Sequence, residues 1–194
     1  MRALVTGLLA FSLFLAGCAS AEERVVEFLD RGDAYVEDGK DEEAIIEYKN
    51  VLQIDPNLAD AHRKLANAYL NSDELRQAYW ELSETIRLDP EDVESRLAYA
   101  AISMAAQNFD LALEQAEAIL QIDAENAPSL LIRAGALESM DRGDEAQVDL
   151  ILAAELEPDD ASYRIALALS YQRSGSLEEA EAELLEGIQR DDGP

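Results

Sequence analysis

The chain contains one cysteine, Cys18, one histidine, His62, and only 15 lysines and arginines in 194 residues. A lone thiol excludes an intramolecular disulfide and a thiolate metal cluster. Together the two scarcities remove most catalytic and metal-binding constellations. Basic residues are outnumbered by 42 acidic ones, for a formal net charge of −27. Such a surface repels polyanions, which argues against nucleic-acid binding by counterion release. Also missing are a glycine-rich phosphate loop, a His-Glu zinc helix and a Gly-x-Ser-x-Gly elbow. The acids are spread along the chain and read as a solvated shell. Pairs such as Asp159-Asp160 and Glu178-Glu179 fall at helix starts, where carboxylates cap free amides and suit the macrodipole. His62 reads as a packed, partly buried side chain. These observations predict a binding protein and not an enzyme, with no cofactor and no metal.

Long apolar runs are absent except at the start, where Met1-Arg2 precedes a nearly unbroken run from Ala3 to Ala16. A membrane-spanning helix needs ~20 apolar residues, so the run reads as an export signal. It closes on Leu15-Ala16-Gly17-Cys18, which resembles the lipobox of bacterial lipoproteins. The resemblance implies a signal peptide over 1–17, cleavage before Cys18, a thioether-linked diacylglyceryl group on its sulfur, and a further acyl chain such as palmitate on the new amino terminus. Several chains together anchor stably where one is marginal. Ala19 stands where that family carries aspartate for inner-membrane retention, which implies an outer-membrane lipoprotein facing the periplasm. The alternative is an ordinary signal peptide with an incidental cysteine at its cut site. The tether, residues 18–24, spans at most roughly 20 Å beyond the cysteine when extended, and the acidic array beyond it is expected to stand off anionic headgroups.

What fills the remainder is a period. Ala44, Ala78, Ala112, Ala146 and Ala180 recur every 34 residues, each preceded by twelve residues by a small one: Gly32, Ala66, Ala100, Ala134, Ala168. Self-similarity at this length marks stacked helical repeats, each burying its apolar face on its neighbours. With the recurring alanine at position 20, the chain divides into units 25–58, 59–92, 93–126, 127–160 and 161–194 without insertion. Each holds two helical patterns broken by polar or glycine-containing turns: Asp38-Gly39-Lys40, Asn71-Ser72-Asp73, Gln107-Asn108, Asp141-Arg142-Gly143 and Ser174-Gly175-Ser176. Asp55-Pro56, Asp89-Pro90 and Glu157-Pro158 punctuate three unit ends. At positions 8 and 20 the paired helices approach too closely for larger side chains, and overpacking there costs ~1–3 kcal/mol.

Phe28, Gly32, Tyr35, Ala44, Tyr48, Val51 and Pro56 in the first unit resemble the tetratricopeptide-repeat pattern nearly completely. The second unit keeps Ala66, Tyr69, Ala78, Leu82 and Pro90 but has His62 at position 4, where Arg96 and Arg164 stand in the third and fifth. The resemblance covers residues 25–194 and implies an all-α, right-handed superhelical solenoid of five 34-residue helix-turn-helix repeats. It also implies a concave groove lined by positions 5, 9, 12 and 13 of the first helices. The partner-binding candidates there are Leu29, Arg63, Asn67, Leu70, Leu97, Ala101, Met104, Leu131, Gly135, Glu138, Ile165 and Leu169. Apolar in its middle and polar towards its ends, such a surface suits an extended peptide or a helix. Alternatively, Leu97, Leu131 and Met104 simply pack between neighbouring first helices. One subset of the family grips a C-terminal carboxylate, and only Arg63 and Asn67 partly match its pattern.

The run Ala44 to Gln53 followed by Asp55-Pro56 resembles the opening repeat of tetratricopeptide lipoproteins found beside exopolysaccharide and PEP-CTERM sorting systems. A short lipoprotein of this type also resembles those that assemble pilus secretins. Both imply a non-catalytic scaffold that recruits cell-envelope proteins, with a periplasmic holdase for extended clients as the alternative. The last unit leaves Leu167, Leu184 and Ile188 as candidates for exposure on an open face, softened by Arg164, Glu183 and Arg190. That face is expected to self-associate or to dock a partner.

Overall fold

The computed structural model describes residues 20–191, with side chains through residue 187; Cys18, the signal segment and the side chain of Ile188 lie outside the described residues. Among the described residues the chain forms ten α-helices and no strand. They are α1 (Ala21–Glu37), α2 (Asp41–Ile54), α3 (Ala59–Asn71), α4 (Leu75–Leu88), α5 (Val93–Ala105), α6 (Phe109–Ile122), α7 (Ala127–Ser139), α8 (Gly143–Leu156), α9 (Ala161–Ser174) and α10 (Leu177–Asp191). Consecutive helices pair as five hairpins, and each hairpin packs on the next, giving an all-α solenoid. None of the described helices is long and apolar enough to cross a membrane.

Residues 21–24 of the expected tether form the first turn of α1. Ser20 caps this helix: its hydroxyl accepts from the Glu23 amide at 3.0 Å, and the Glu23 carboxylate accepts from the Ser20 amide at 2.7 Å. Two amides that would otherwise lack partners are satisfied reciprocally, which starts the helix ahead of the repeat register.

Every turn within a unit is built the same way. Position 15 is left-handed in all five: Gly39, Asp73, Gln107, Asp141 and Gly175 have φ of 70°, 59°, 60°, 61° and 87°. The next amide then reaches back to the carbonyl at position 11, as in Lys40 to Tyr35 at 2.8 Å and Ser176 to Tyr171 at 2.9 Å, closing the Schellman geometry that ends a helix. In the fourth unit the left-handed residue is Asp141, and Gly143 is already the first residue of α8. The turns between units rest on side chains: Asp55, Asp89 and Asp123 accept from amides two residues on, and Asp92, Asn126 and Asp160 cap the following helices. Asp123 and Asn126 thus supply the break that proline makes elsewhere, which is why Ala124 at position 32 interrupts nothing.

The small residues at positions 8 and 20 are all buried. Position 24 separates intrinsic from neighbour-dependent burial. Tyr48, Leu82, Ala116 and Leu150 are buried, whereas Leu184 in the fifth unit is 45% exposed. Burial at this position comes from the hairpin that follows, as Ala68 on Tyr48 and Ala166 on Leu150 show.

Leu167 corrects an expectation. It is 2% exposed, packed with Ala134, Leu137, Ala146 and Leu150 of the fourth unit, because position 7 faces backwards into the stack and not towards the open end. Arg164 does not soften an outer face either. It is buried, and its guanidinium donates to Glu183 at 2.9 Å and pairs with Glu186 at 3.1 Å.

Gly32 stands where the other units have alanine, and the reason lies across the hairpin. A Cβ at Gly32 would meet the Tyr48 ring at 2.4 Å, while the other units place leucine or alanine at position 24. Gly32→Ala is therefore expected to lower stability by ~1–3 kcal/mol in chemical denaturation, as overpacking does. Adding Tyr48→Leu to that variant is expected to recover the loss, since alanine favours a helix over glycine by about 1 kcal/mol.

Candidate partner-binding groove

The first helices of the units lie side by side and are joined by side chains along one face of the stack. Lys64 on α3 donates to both oxygens of Asp33 on α1 at 2.8 and 2.9 Å. Arg173 on α9 pairs with Glu138 on α7 at 2.6 Å. Between these polar links the contact is apolar: a Cβ on Gly135 of α7 would lie 3.1 Å from the Met104 methyl of α5. These joins form the floor of the groove.

At the N-terminal end the cations are consumed internally. Arg63 is hydrogen-bonded to Asp60 and lies 3.6 Å from both Asp92 and Glu94. Tyr48 donates to Asp33 at 2.7 Å, beside the pair with Lys64. Burial pushes the Asp33 carboxyl up, but the hydrogen bonds from Lys64 and Tyr48 outweigh it and leave Asp33 below the usual carboxylate range. Burial and the Asp33 carboxylate both push the Tyr48 phenol up, so it remains a donor. Asn67 lines the same depression. A carboxylate-bearing ligand would meet cations already surrounded by acids, so the partial match of Arg63 and Asn67 to a carboxylate grip does not carry through.

The remaining candidates divide by exposure. Leu29 and Leu70 are half-buried against the first core cluster, and Leu131 packs against two clusters, one of which includes Tyr163 of α9. Leu97 and Met104 are half-buried. Gly135 lies under Met104, and Glu138 is held by Arg173. Ala101, Ile165 and Leu169 are open to solvent. At the open end, Leu184 is exposed and Leu167 is not.

A feature that reading the sequence missed runs through all five hairpins. Position 23 carries an acceptor in every unit, Glu47, Glu81, Gln115, Asp149 and Glu183, each bonded to one cationic or imidazole side chain of the first helix. That partner comes from position 7 in the first and fourth units, where Arg31 and Arg133 reach Glu47 and Asp149 at 2.7 Å. It comes from position 4 in the others, where His62, Arg96 and Arg164 lie 2.6, 2.5 and 2.9 Å from Glu81, Gln115 and Glu183. Whichever position lacks the partner is apolar or aromatic: Phe28, Leu65, Tyr99, Leu130 or Leu167. His62, Arg96 and Arg164 are thus members of a second, internally consistent pattern. His62 also faces the Pro56 carbonyl at 3.2 Å, so both ring nitrogens are engaged. Among the described residues no group of three or more His, Cys, Asp or Glu is placed to hold a metal.

The family model described as "TPR repeat" matches residues 32–73. The chain is similar to the DnaJ homolog subfamily C member 7 homolog of Schizosaccharomyces pombe, with 27% identity over 150 residues, 69% of this chain and 32% of that protein. It thus spans about a third of the length of this curated relative. Among solved structures it is similar to a crystal structure of MamA, with TM-score 0.82 and 20% identity over 88% of this chain and 93% of that one. It is likewise similar to MamA 41-end from Desulfovibrio magneticus RS-1, with TM-score 0.83 and 15% identity over 90% of this chain and 100% of that one. At these identities the likeness is one of fold, and the fold is the tetratricopeptide-repeat solenoid.

The Asp33 network gives a pH test of the groove floor. Because the folded carboxyl sits below its unfolded value, its stabilisation is present above the ordinary carboxylate pKa of about 4 and fades as pH falls through the depressed value. Asp33→Asn is expected to lower the denaturation midpoint at neutral pH, and the gap between variant and parent is expected to close at the acid end of the titration.

Proposed function

We propose that this chain is a non-catalytic interaction scaffold of a bacterial cell envelope, anchored through lipid on Cys18 and facing the periplasm from the outer membrane. Its role is to recruit or assemble an envelope complex by holding a peptide or helix of a partner in the groove. The observation that supports this reading most is the groove itself: a row of first helices in which Asp33 pairs with Lys64, Asp60 with Arg63 and Glu138 with Arg173, leaving Ala101, Ile165 and Leu169 open. A surface whose ion pairs are internally satisfied selects a ligand by shape and apolar contact. The lipobox-like Leu15-Ala16-Gly17-Cys18 supports the anchor, and the acidic surface supports a stand-off from lipid.

A photo-crosslinker at Ala101, in the native envelope, is expected to give one or two discrete adducts, while the same group at Trp80, which is 63% exposed on α4, gives none of them. A smear of adducts at Ala101, competed by denatured proteins, would mean a holdase and overturn the scaffold. Cys18→Ser is expected to abolish palmitate incorporation and release the chain from the membrane fraction; retention of both would remove the anchor.

A further inference from the structure

Five of the exposed large apolar side chains lie together between α9 and α10. Ile165 and Leu169 on α9 face Leu177, Leu184 and Leu185 on α10 across an open cleft of about 330 Å³, and all five are at least 45% exposed. The repeat itself says what shape of ligand fits. In the first four units the equivalent surface, centred on Tyr48, Leu82, Ala116 and Leu150, is covered by the first helix of the following unit. Ala68 of α3 lies on the Tyr48 cluster, and Ala166 and Leu167 of α9 lie on Leu150. The occupant this geometry takes is therefore a single helix with an apolar, small-residue face.

Charge narrows the choice. Glu181 lines the cleft, and Glu178 and Glu179 follow Leu177 in the first turn of α10; no ion pair is seen for any of the three among the described residues. A second copy offering α1 would bring Glu27 and Asp30, at the positions where later first helices carry Ala61 and Lys64 or Ser129 and Ile132, onto this acidic rim. Two copies meeting cleft to cleft would oppose their rims. Like charges brought together at an interface are unfavourable, and opposite charges both steer and select.

We propose that the α9–α10 cleft binds an amphipathic helix of a partner protein whose apolar face is bordered by lysine or arginine. The cleft shares Ile165 and Leu169 with the C-terminal end of the groove, while Leu177, Leu184 and Leu185 on α10 belong to the cleft alone.

The test titrates the full chain with two synthetic helical peptides that share one leucine–alanine face, one flanked by lysines and the other by glutamates, followed by fluorescence anisotropy. The lysine peptide is expected to bind saturably and at least about tenfold more tightly, a difference of ~1.4 kcal/mol. Leu184→Glu is expected to weaken that binding about tenfold although it adds negative charge, so general attraction to an acidic protein would move the result the other way. Leu177→Ser, at a more exposed site, is expected to weaken it too and guards against a folding defect. Ala101→Glu is expected to leave it unchanged, which separates this cleft from the groove. Equal binding of both peptides, or no loss in both leucine variants, would overturn the proposal. So would a dimer in sedimentation equilibrium that Leu184→Glu dissolves, because a second copy would then be the occupant.

Discussion

The register between the two helices of each hairpin is the constraint on which everything else in this molecule depends. Two contacts hold it. The small residues at positions 8 and 20 allow the helices to approach, and the bond from position 4 or 7 to the acceptor at position 23 fixes how far one slides along the other. The first contact is apolar and tolerant of direction, since alanine against alanine has little shape to specify. The second is directional, as in the two parallel bonds between Arg133 and Asp149, whose side chain is 5% exposed. Hydrogen bonds to charged groups contribute about 1.5–3 kcal/mol, and their geometry is what a stack of similar hairpins needs to stay in step.

From that register follows the surface. Once each hairpin is closed, its position 24 and the back of the next first helix meet, and the first helices come close enough for Lys64 to reach Asp33 and Arg173 to reach Glu138. These pairs draw on the scarce cations, and positions 4 and 7 use Arg31, Arg96, Arg133 and Arg164 as well. With only 15 basic residues against 42 acids, the surplus charge is negative. The charge of the whole molecule and the chemistry of its interior are thus one allocation seen from two sides, and it points towards partners that are apolar at the contact and basic around it.

Much of this was legible in the sequence. The alanine period located the ten described helices, and positions 8, 20 and 27 are buried in every unit, with position 24 buried in the first four. What was illegible depended on neighbours. Leu131 and Ile165 occupy the same position 5, yet Leu131 is packed against a cluster containing Tyr163 and Ile165 is open. Leu167 looked like a candidate for exposure because its unit is the fifth, although position 7 faces the fourth. The start of α1 depended on a Ser20–Glu23 capping box outside the repeat register. The bonds to position 23 had a signal, Glu, Glu, Gln, Asp, Glu at one position of five units. It was hidden because its partner alternates between two positions, so neither position looks regular alone.

The most direct test of this account is a double-mutant cycle on Arg133 and Asp149 in chemical denaturation. Asp149→Ala leaves a mostly buried guanidinium unpaired, and Arg133→Ala leaves a buried carboxylate unpaired; breaking such a pair from one side costs ~3–5 kcal/mol. If the bond holds the hairpin in register, the double variant is expected to lose well under the sum of the two, with a coupling energy of about 2 kcal/mol. Additive losses would show that the two side chains act separately and that the hairpins keep their register without the bond.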